Sequence, residues 1–374
     1  MAIPPFSTAR TAPAGAGGGV SGEVGAPAAS GISGPRFDRF ILGPALDFIC
    51  FGPGATLLVA GVLWSLQRAG GAASALATTL TVSLVLLFVG PHYAATYRRA
   101  YTSLAVVRAH PWVTLAAPPI LIAAALAAIR YPTTIGVAYF ALYVGWSGYH
   151  YSGQSLGLAM LYPLRQGARL EPREKRLISL PLYVSWILSV LGLFRLASSA
   201  RNPAYEAVRH AYLGPPLPGW VSTLGLAILA VSLLGVVVVA RRRRRRGVPL
   251  PWPTYAVLSA QILWFTIGLY QPFFNITLVP VFHALQYLGL TSWHACHGKG
   301  QSGSRHFAGY ALVVLGLGLL INPGLFKIFD RGNGAAEALI ITAAVTSFVN
   351  LHHFLLDGRI WRLRERPLVQ SMIA

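Results

Sequence analysis

The chain has few charged residues, few cysteines and very few acidic groups. Charged side chains make up 11% of its 374 residues, and only 10 residues are Asp or Glu, whereas about a quarter of a soluble domain is charged. Two cysteines without a CxxC spacing exclude a disulfide framework and a thiol-redox motif. Apolar residues are abundant instead, at 55% of the chain, with a mean hydropathy of +0.57. The composition therefore predicts a membrane protein.

Basic residues give the chain a formal net charge of +20. They lie in short runs between apolar segments, which is typical of residues that set membrane topology and meet anionic lipid headgroups. We therefore expect membrane lipids as partners and no nucleic acid. Arginine outnumbers lysine 27 to 3, which favours a GC-rich bacterial genome and hence the bacterial cytoplasmic (inner) membrane.

Apolar segments recur along the chain at the length of membrane-spanning helices, which need about 20 apolar residues. We predict ten spans, at Ile41–Leu66, Ala72–Pro91, Val113–Ile129, Thr133–Leu161, Leu177–Leu196, Gly219–Ala240, Tyr255–Phe274, Ile276–Cys296, Phe307–Asn322 and Ala335–Leu356. The sequence thus predicts an all-α, polytopic transmembrane helix bundle.

The distribution of basic residues tests the number of spans. With the N-terminus in the cytoplasm and ten alternating spans, 23 of the 30 Lys and Arg residues fall inside and 7 outside, as the positive-inside rule requires. Both termini are therefore expected in the cytoplasm. Residues 1–35 are rich in Gly, Pro and Ala and predict a disordered tail. Residues 36–366 form one predicted transmembrane domain, and residues 367–374 a short C-terminal tail.

Seven of the ten histidines lie inside or at the edge of predicted spans. They are His92, His150, His283, His294, His297, His352 and His353. An ionisable group inside the membrane is costly and indicates a functional site, and imidazole is the commonest side-chain metal ligand. Five of the seven end predicted spans near the cytoplasm, whereas His150 and His283 are expected deeper. We therefore predict a metal-binding tier near the cytosol and a polar tier near the middle of the membrane.

Polar residues one helical turn from these histidines are the candidate catalytic groups. Gln154 follows His150 by four residues, and Asp357 follows His353 at the same spacing. Gln286 and Tyr287 follow His283 by three and four residues. Residues at these spacings share a helix face, so Asp357 could orient the His353 imidazole or bind the metal itself.

Two short motifs carry a resemblance to a known family. The HxxH of His294–His297 and the HH of His352–His353 resemble those of membrane-bound non-haem di-iron oxidases, the fatty acid desaturase and hydroxylase class. The resemblance implies iron held by many histidines on the cytosolic side and oxidation of a lipid chain between helices. The chain departs from that family because the HxxxH box and the two HxxHH boxes are absent as such, and because ten spans exceed the family's usual number.

Together these features predict an integral membrane, metal-dependent oxidoreductase acting on a lipid or isoprenoid-type substrate. The metal is expected to be iron, as a di-iron or mononuclear centre, although imidazole ligands also suit zinc and copper. No ferredoxin or cytochrome domain is recognisable, so a redox enzyme would need an external electron donor. Two alternatives stay open: a haem-binding electron-transfer or assembly protein, and a transporter or non-catalytic subunit of a membrane complex.

Overall fold

The computed structural model describes residues 40–199, 218–297, 304–321 and 335–360, and the regular secondary structure in these ranges is entirely helical. Two π-helical turns, Trp112–Ala116 and Pro132–Gly136, lead directly into the fifth and sixth α-helices. The α-helices are α1 Pro44–Cys50, α2 Gly54–Ala69, α3 Gly71–Tyr101, α4 Leu104–Ala109, α5 Ala117–Arg130, α6 Val137–Arg165, α7 Pro172–Ser199, α8 Gly219–Arg245, α9 Trp252–Tyr270, α10 Pro272–His297, α11 Ser304–Ile321 and α12 Ala335–Ile360. The two predicted tails, residues 1–35 and 367–374, lie outside the described residues.

Several of these helices are long and apolar enough to cross a membrane. Four segments meet that requirement in the described part of the chain: Gly71–Tyr101, Trp112–Arg130, Gly219–Arg245 and Ile340–Ile360. The pair α1 and α2, bent by 56° at the break between them, makes a fifth if it counts as one span. Large apolar side chains on the outside are highly exposed, for example Leu320 at 74%, which suits contact with lipid. The fold is therefore that of an all-α integral membrane protein.

Each predicted span overlaps a helix of the structure, but the boundaries differ where proline is involved. The second span was predicted to end at Pro91, whereas α3 continues through Pro91 to Tyr101. Membrane helices tolerate proline where neighbouring elements stabilise the interrupted turn. Here α11 packs directly on that turn, since a Cβ at Gly318 would lie 2.2 Å from the Pro91 nitrogen. As a result, His92 lies within α3 and not at its end.

A buried ion pair joins α7 to the end of α8. Arg243 donates a hydrogen bond to Glu174 at 2.9 Å, and both side chains are less than a tenth exposed. Arg243 also donates to the backbone carbonyls of Ala168 and Arg169 in the connection before α7. A neighbouring pair involving Arg246 is more than half exposed. The buried guanidinium thus holds the connection before α7 against the end of α8.

Candidate metal centre

Four histidines from four different helices meet inside the bundle. They are His92 on α3, His150 on α6, His283 on α10 and His353 on α12, and one ligand nitrogen from each lies within 4.8 Å of the others. The Nε2 atoms of His150 and His353 lie 3.2 Å apart. Two nitrogens bound to one tetrahedral ion at about 2.1 Å lie about 3.4 Å apart. The four residues are therefore close enough to bind one metal ion.

These imidazoles are buried and poorly satisfied by the protein. His92, His283 and His353 are 3%, 1% and 0% exposed. Both ring nitrogens of His92, both of His283 and Nδ1 of His353 have no hydrogen-bond partner among the described residues. A buried polar atom without a partner costs about 1–3 kcal/mol, so five of them together would cost as much as the net stability of a typical protein. A bound cation would offset part of this cost, because it would accept one nitrogen lone pair from each imidazole.

One carboxylate lies at the edge of the histidine group. The Oδ2 atom of Asp357 is 3.4 Å from Nε2 of His353 and 3.9 Å from Nε2 of His150. Its Oδ1 atom accepts hydrogen bonds of 3.0 Å from the hydroxyls of Thr96 and Tyr287, whose oxygens lie 2.6 Å apart. One carboxylate oxygen is thus fixed by hydroxyl donors while the other faces the imidazoles.

Two hydrogen-bonded glutamines lie beside the backbone of His283. Gln154 on α6 donates to the carbonyl of His283 at 3.1 Å and to the side-chain oxygen of Gln286 at 3.3 Å. Gln286 in turn donates to the carbonyl of Phe51, in the break between α1 and α2, at 2.9 Å. These contacts tie three parts of the bundle together behind the imidazoles. These hydrogen bonds give the glutamines a supporting position, in which Gln154 contacts the backbone of His283 and Gln286 links Gln154 to Phe51.

Two further predicted ligands lie apart from the group. Nε2 of His352 is 3.0 Å from the carbonyl of Val113 and 3.3 Å from the hydroxyl of Tyr101. Nδ1 of His294 is 3.5 Å from a guanidinium nitrogen of Arg99. The side chain of His297 lies outside the described residues.

The predicted division into two tiers differs from the arrangement in the structure. The group combines His92 and His353, predicted near the cytosolic face, with His150 and His283, predicted deeper. The prediction counted depth from span ends, but α3 runs on past Pro91 and α12 runs on to Ile360. His92 and His353 consequently lie well inside their helices, at a level where the other two can reach them.

Some residues of the site had no assigned function in the sequence analysis. Thr96 follows His92 by four residues, so the sequence spacing alone could have predicted that both side chains lie on the same face of α3. The contact of Tyr93 with Asn350, whose side-chain oxygen accepts a 2.7 Å hydrogen bond from the phenol, joins residues far apart in the chain and has no such signal. Phe354 stacks on His150 with ring centroids 4.5 Å apart and fixes that imidazole.

A cavity of about 380 Å³ reaches the centre from one side. His150 and Asp357 line it, together with aromatic and aliphatic residues of α6, α7, α10 and α12. Among the four histidines His150 is the most exposed, with 9% of its side chain accessible. A molecule in this cavity would approach the centre past His150 and Asp357.

Fold and site together define an all-α integral membrane protein with a candidate metal centre. Comparisons of the chain with protein-family models, with curated proteins and with solved structures find no match. The chemistry of the site is therefore argued from its own geometry.

Proposed function

We propose that this chain is an integral membrane, metal-dependent oxidoreductase with a mononuclear iron centre held by His92, His150, His283 and His353. The observation that carries the proposal is the convergence of four imidazoles inside the bundle, three of them fully buried and each of those three with at least one ring nitrogen that has no partner among the described residues. Imidazole with one nearby carboxylate suits iron, and zinc and copper accept the same nitrogen donors. When bound, iron would supply one-electron and dioxygen chemistry.

A single ion is favoured over the di-iron centre that the motifs resemble. A histidine-rich di-iron centre needs more ligands than four imidazoles and Asp357. The other two described candidates, His294 and His352, have other contacts, with Arg99 and with the Val113 carbonyl. In this proposal the HH motif contributes only His353 to the centre, and the HxxH motif contributes no residue.

The protein side chains would have distinct functions around the ion. Asp357 would hold negative charge beside the cation, and the hydroxyls of Thr96 and Tyr287 would keep that carboxylate in place. Tyr287 and His150 also line the cavity, so either could exchange a proton with a bound molecule. The largely apolar cavity supports a hydrophobic substrate of lipid or isoprenoid type. Electrons would come from an external donor.

The same proposal includes the finer topology of the chain: ten spans, both termini in the cytoplasm, and insertion in the bacterial inner membrane. It is supported by the overlap of every predicted span with a helix and by the 23 to 7 distribution of basic residues. Labelling of single-cysteine variants in the segments between helices would test this topology. It places residue 70 outside the cytoplasm and residue 247 in the cytoplasm, so labelling of Gly70→Cys and Gly247→Cys from the same side of the membrane would contradict it.

The haem alternative is less well supported by this geometry. The imidazole centroids of His92 and His353 are 4.2 Å apart, and the other closest pairs in the group are 4.9 Å apart. Rings that contact one another edge to face leave no slot for a planar macrocycle between them. A transporter has one supporting observation, because the hydrogen-bonded series Thr96, Tyr287, Asp357 resembles a proton relay inside a membrane.

Metal analysis of the purified protein tests the proposal. We expect about one iron per chain in the wild type and its loss in His283→Ala and His353→Ala. His352→Ala is the matched control, since this residue is adjacent on the same helix yet bonds to Val113, and it should keep the iron. Absence of any transition metal from the wild type, or its retention in both cluster variants, would refute the centre. Loss in His294→Ala and His352→Ala as well would favour the di-iron alternative.

Oxygen uptake separates an oxidase from a transporter. The iron-loaded protein, supplied with a chemical reductant, should consume oxygen faster when lipid is added, and His353→Ala should abolish the stimulation. Iron binding without lipid-dependent uptake would leave the metal site in place and refute the oxidoreductase.

A further inference from the structure

The cavity beside His150 has features of a binding site that the metal centre does not explain. Its wall on α6 includes Gly153 and Gly157, and its wall on α12 includes Gly358. A Cβ added at any of these three glycines would meet no atom within 4 Å. The cavity therefore owes its width to missing side chains on two facing helices, and larger residues there would fill it without displacing the backbone.

The mouth of the cavity is open to the outside of the bundle and carries one positive charge. Gly153, Gly358 and Arg359 are all exposed, so the opening lies along the side of the bundle between α6 and α12. Arg359 lines the cavity and has no ion pair or hydrogen bond with another described residue. A guanidinium recognises a carboxylate with two parallel hydrogen bonds. The other ionisable lining group besides His150 and the tyrosines is Asp357, whose Oδ1 already accepts two hydroxyls.

The dimensions limit the molecule that fits. At about 30 Å³ for each water-sized group, the cavity of about 380 Å³ holds about a dozen such groups. Arg359 follows His353 by six residues, which places it about 9 Å further along α12. The lining also continues one turn beyond His150 to Trp146. A single chain of medium length therefore fits, and a lipid with two long chains does not.

We propose that this cavity binds a single-chain amphiphile with a carboxylate head group, with the head at Arg359 and the chain passing His150 toward Trp146. This inference deepens the proposed function and rests on it only in placing the reacting part of the chain at the metal centre. The carbon nearest the centre is then partway along the chain and not next to the carboxylate. Binding itself requires the cavity and Arg359 but no metal.

Binding of radiolabelled dodecanoate to the full chain in lipid nanodiscs tests the proposal. We expect saturable binding at one site per chain, and dodecanol should bind about tenfold more weakly, because a charged hydrogen-bonded pair contributes on the order of that factor. Arg359→Gln should remove the preference for dodecanoate, whereas Arg359→Lys should keep part of it. Since Arg359 is exposed, these variants are expected to fold.

Filling the cavity with a larger side chain is a second test of the binding proposal. Gly157→Leu should reduce dodecanoate binding more than tenfold. Gly145→Leu is the matched control, because Gly145 lies on the same helix, also has open space at its Cβ and does not line the cavity; it should bind normally. Equal affinity for dodecanol, unchanged binding in both Gly157→Leu and Arg359→Gln, or equal displacement by an anionic two-chain lipid would overturn the proposal.

Iron content measured in the same samples separates this inference from the proposed function. Neither Gly157→Leu nor Arg359→Gln alters a ligand of the centre, so both should retain iron while losing the binding of dodecanoate. Specific binding to a wild-type protein that contains no iron would refute the proposed function and leave the binding site in place. Iron in a wild-type protein that does not bind dodecanoate specifically would refute the binding site and leave the metal centre in place.

Discussion

Replacing Asp357 by asparagine separates its electrostatic contribution from its structural one. Asparagine keeps a side-chain oxygen that can accept the two 3.0 Å hydrogen bonds from Thr96 and Tyr287. It removes the negative charge that lies 3.4 Å and 3.9 Å from the Nε2 atoms of His353 and His150. Loss of a carboxylate beside metal-binding histidines lowers metal affinity about 10–100-fold. We therefore expect Asp357→Asn to weaken iron binding by that factor and to change the free energy of unfolding by less than about 1 kcal/mol.

Asp357→Ala is the comparison that reveals the structural part. Alanine leaves two buried hydroxyls without their shared acceptor, so the free energy of unfolding should fall by about 2–3 kcal/mol in addition to the loss of affinity. Metal affinity would be measured by competition with a chromophoric chelator, and stability by denaturant unfolding of the metal-free protein in detergent. Iron affinity equal to wild type in Asp357→Asn would refute a contribution of this carboxylate to the centre. Equal destabilisation by both substitutions would refute the hydrogen-bonding argument.

Three further predictions test the centre and the packing that supports it. Removing the metal with a chelator should lower the melting temperature by about 5 °C, because a ligand at a hundred times its Kd stabilises by about 2.7 kcal/mol; no change in a thermal unfolding assay would contradict occupancy. Gly318→Ala should destabilise the protein by more than about 2 kcal/mol, since its Cβ would overlap Pro91, and Gly316→Ala, whose Cβ meets open space, should be neutral in the same assay. Arg243→Ala should cost about 3–5 kcal/mol by leaving a buried carboxylate unpaired, whereas Arg246→Ala, from an exposed pair, should cost less than about 1 kcal/mol; similar losses in both would contradict the difference in burial.

The sequence predicts where the helices lie along the chain, but it predicts less well which residues of different helices lie at the same level of the bundle. Hydropathy located a helix for every predicted span, and four or five of the described helices are long and apolar enough to cross a membrane. The predicted level of a residue depends on the nearest span end, and the predicted end at Pro91 does not coincide with the end of α3 at Tyr101. Proline predicts an end of the span there, whereas α3 continues through Pro91 with Gly318 packed against it. The position of His92 thus depends on packing between helices that a single segment does not reveal.

The histidines show the same limit at the level of the site. Motif spacing selects residues that share one helix, as in His294 and His297, because it reports only local periodicity. The group in the structure takes one residue from each of four helices, and nothing in the spacing between His92 and His353 indicates their contact. The i, i+4 spacing of His353 and Asp357 does predict that their side chains are close, because residues four apart lie on the same face of a helix.

Hydrogen bonding distinguishes the two adjacent histidines of α12 more clearly than their apolar surroundings do. His352 and His353 are both buried, at 3% and 0% exposure. His352 is satisfied by the protein, because the Val113 carbonyl lies 3.0 Å from Nε2, as expected of a histidine that stabilises helix packing. His353 instead has an unpartnered Nδ1 and directs its Nε2 toward another imidazole and a carboxylate. The contact between the two imidazoles leaves Nδ1 of His353 without a partner among the described residues, whereas a cation among the four rings would accept one lone pair from each of them. This contrast within one helical turn supports the proposal that His353, and not its neighbour, is a metal ligand.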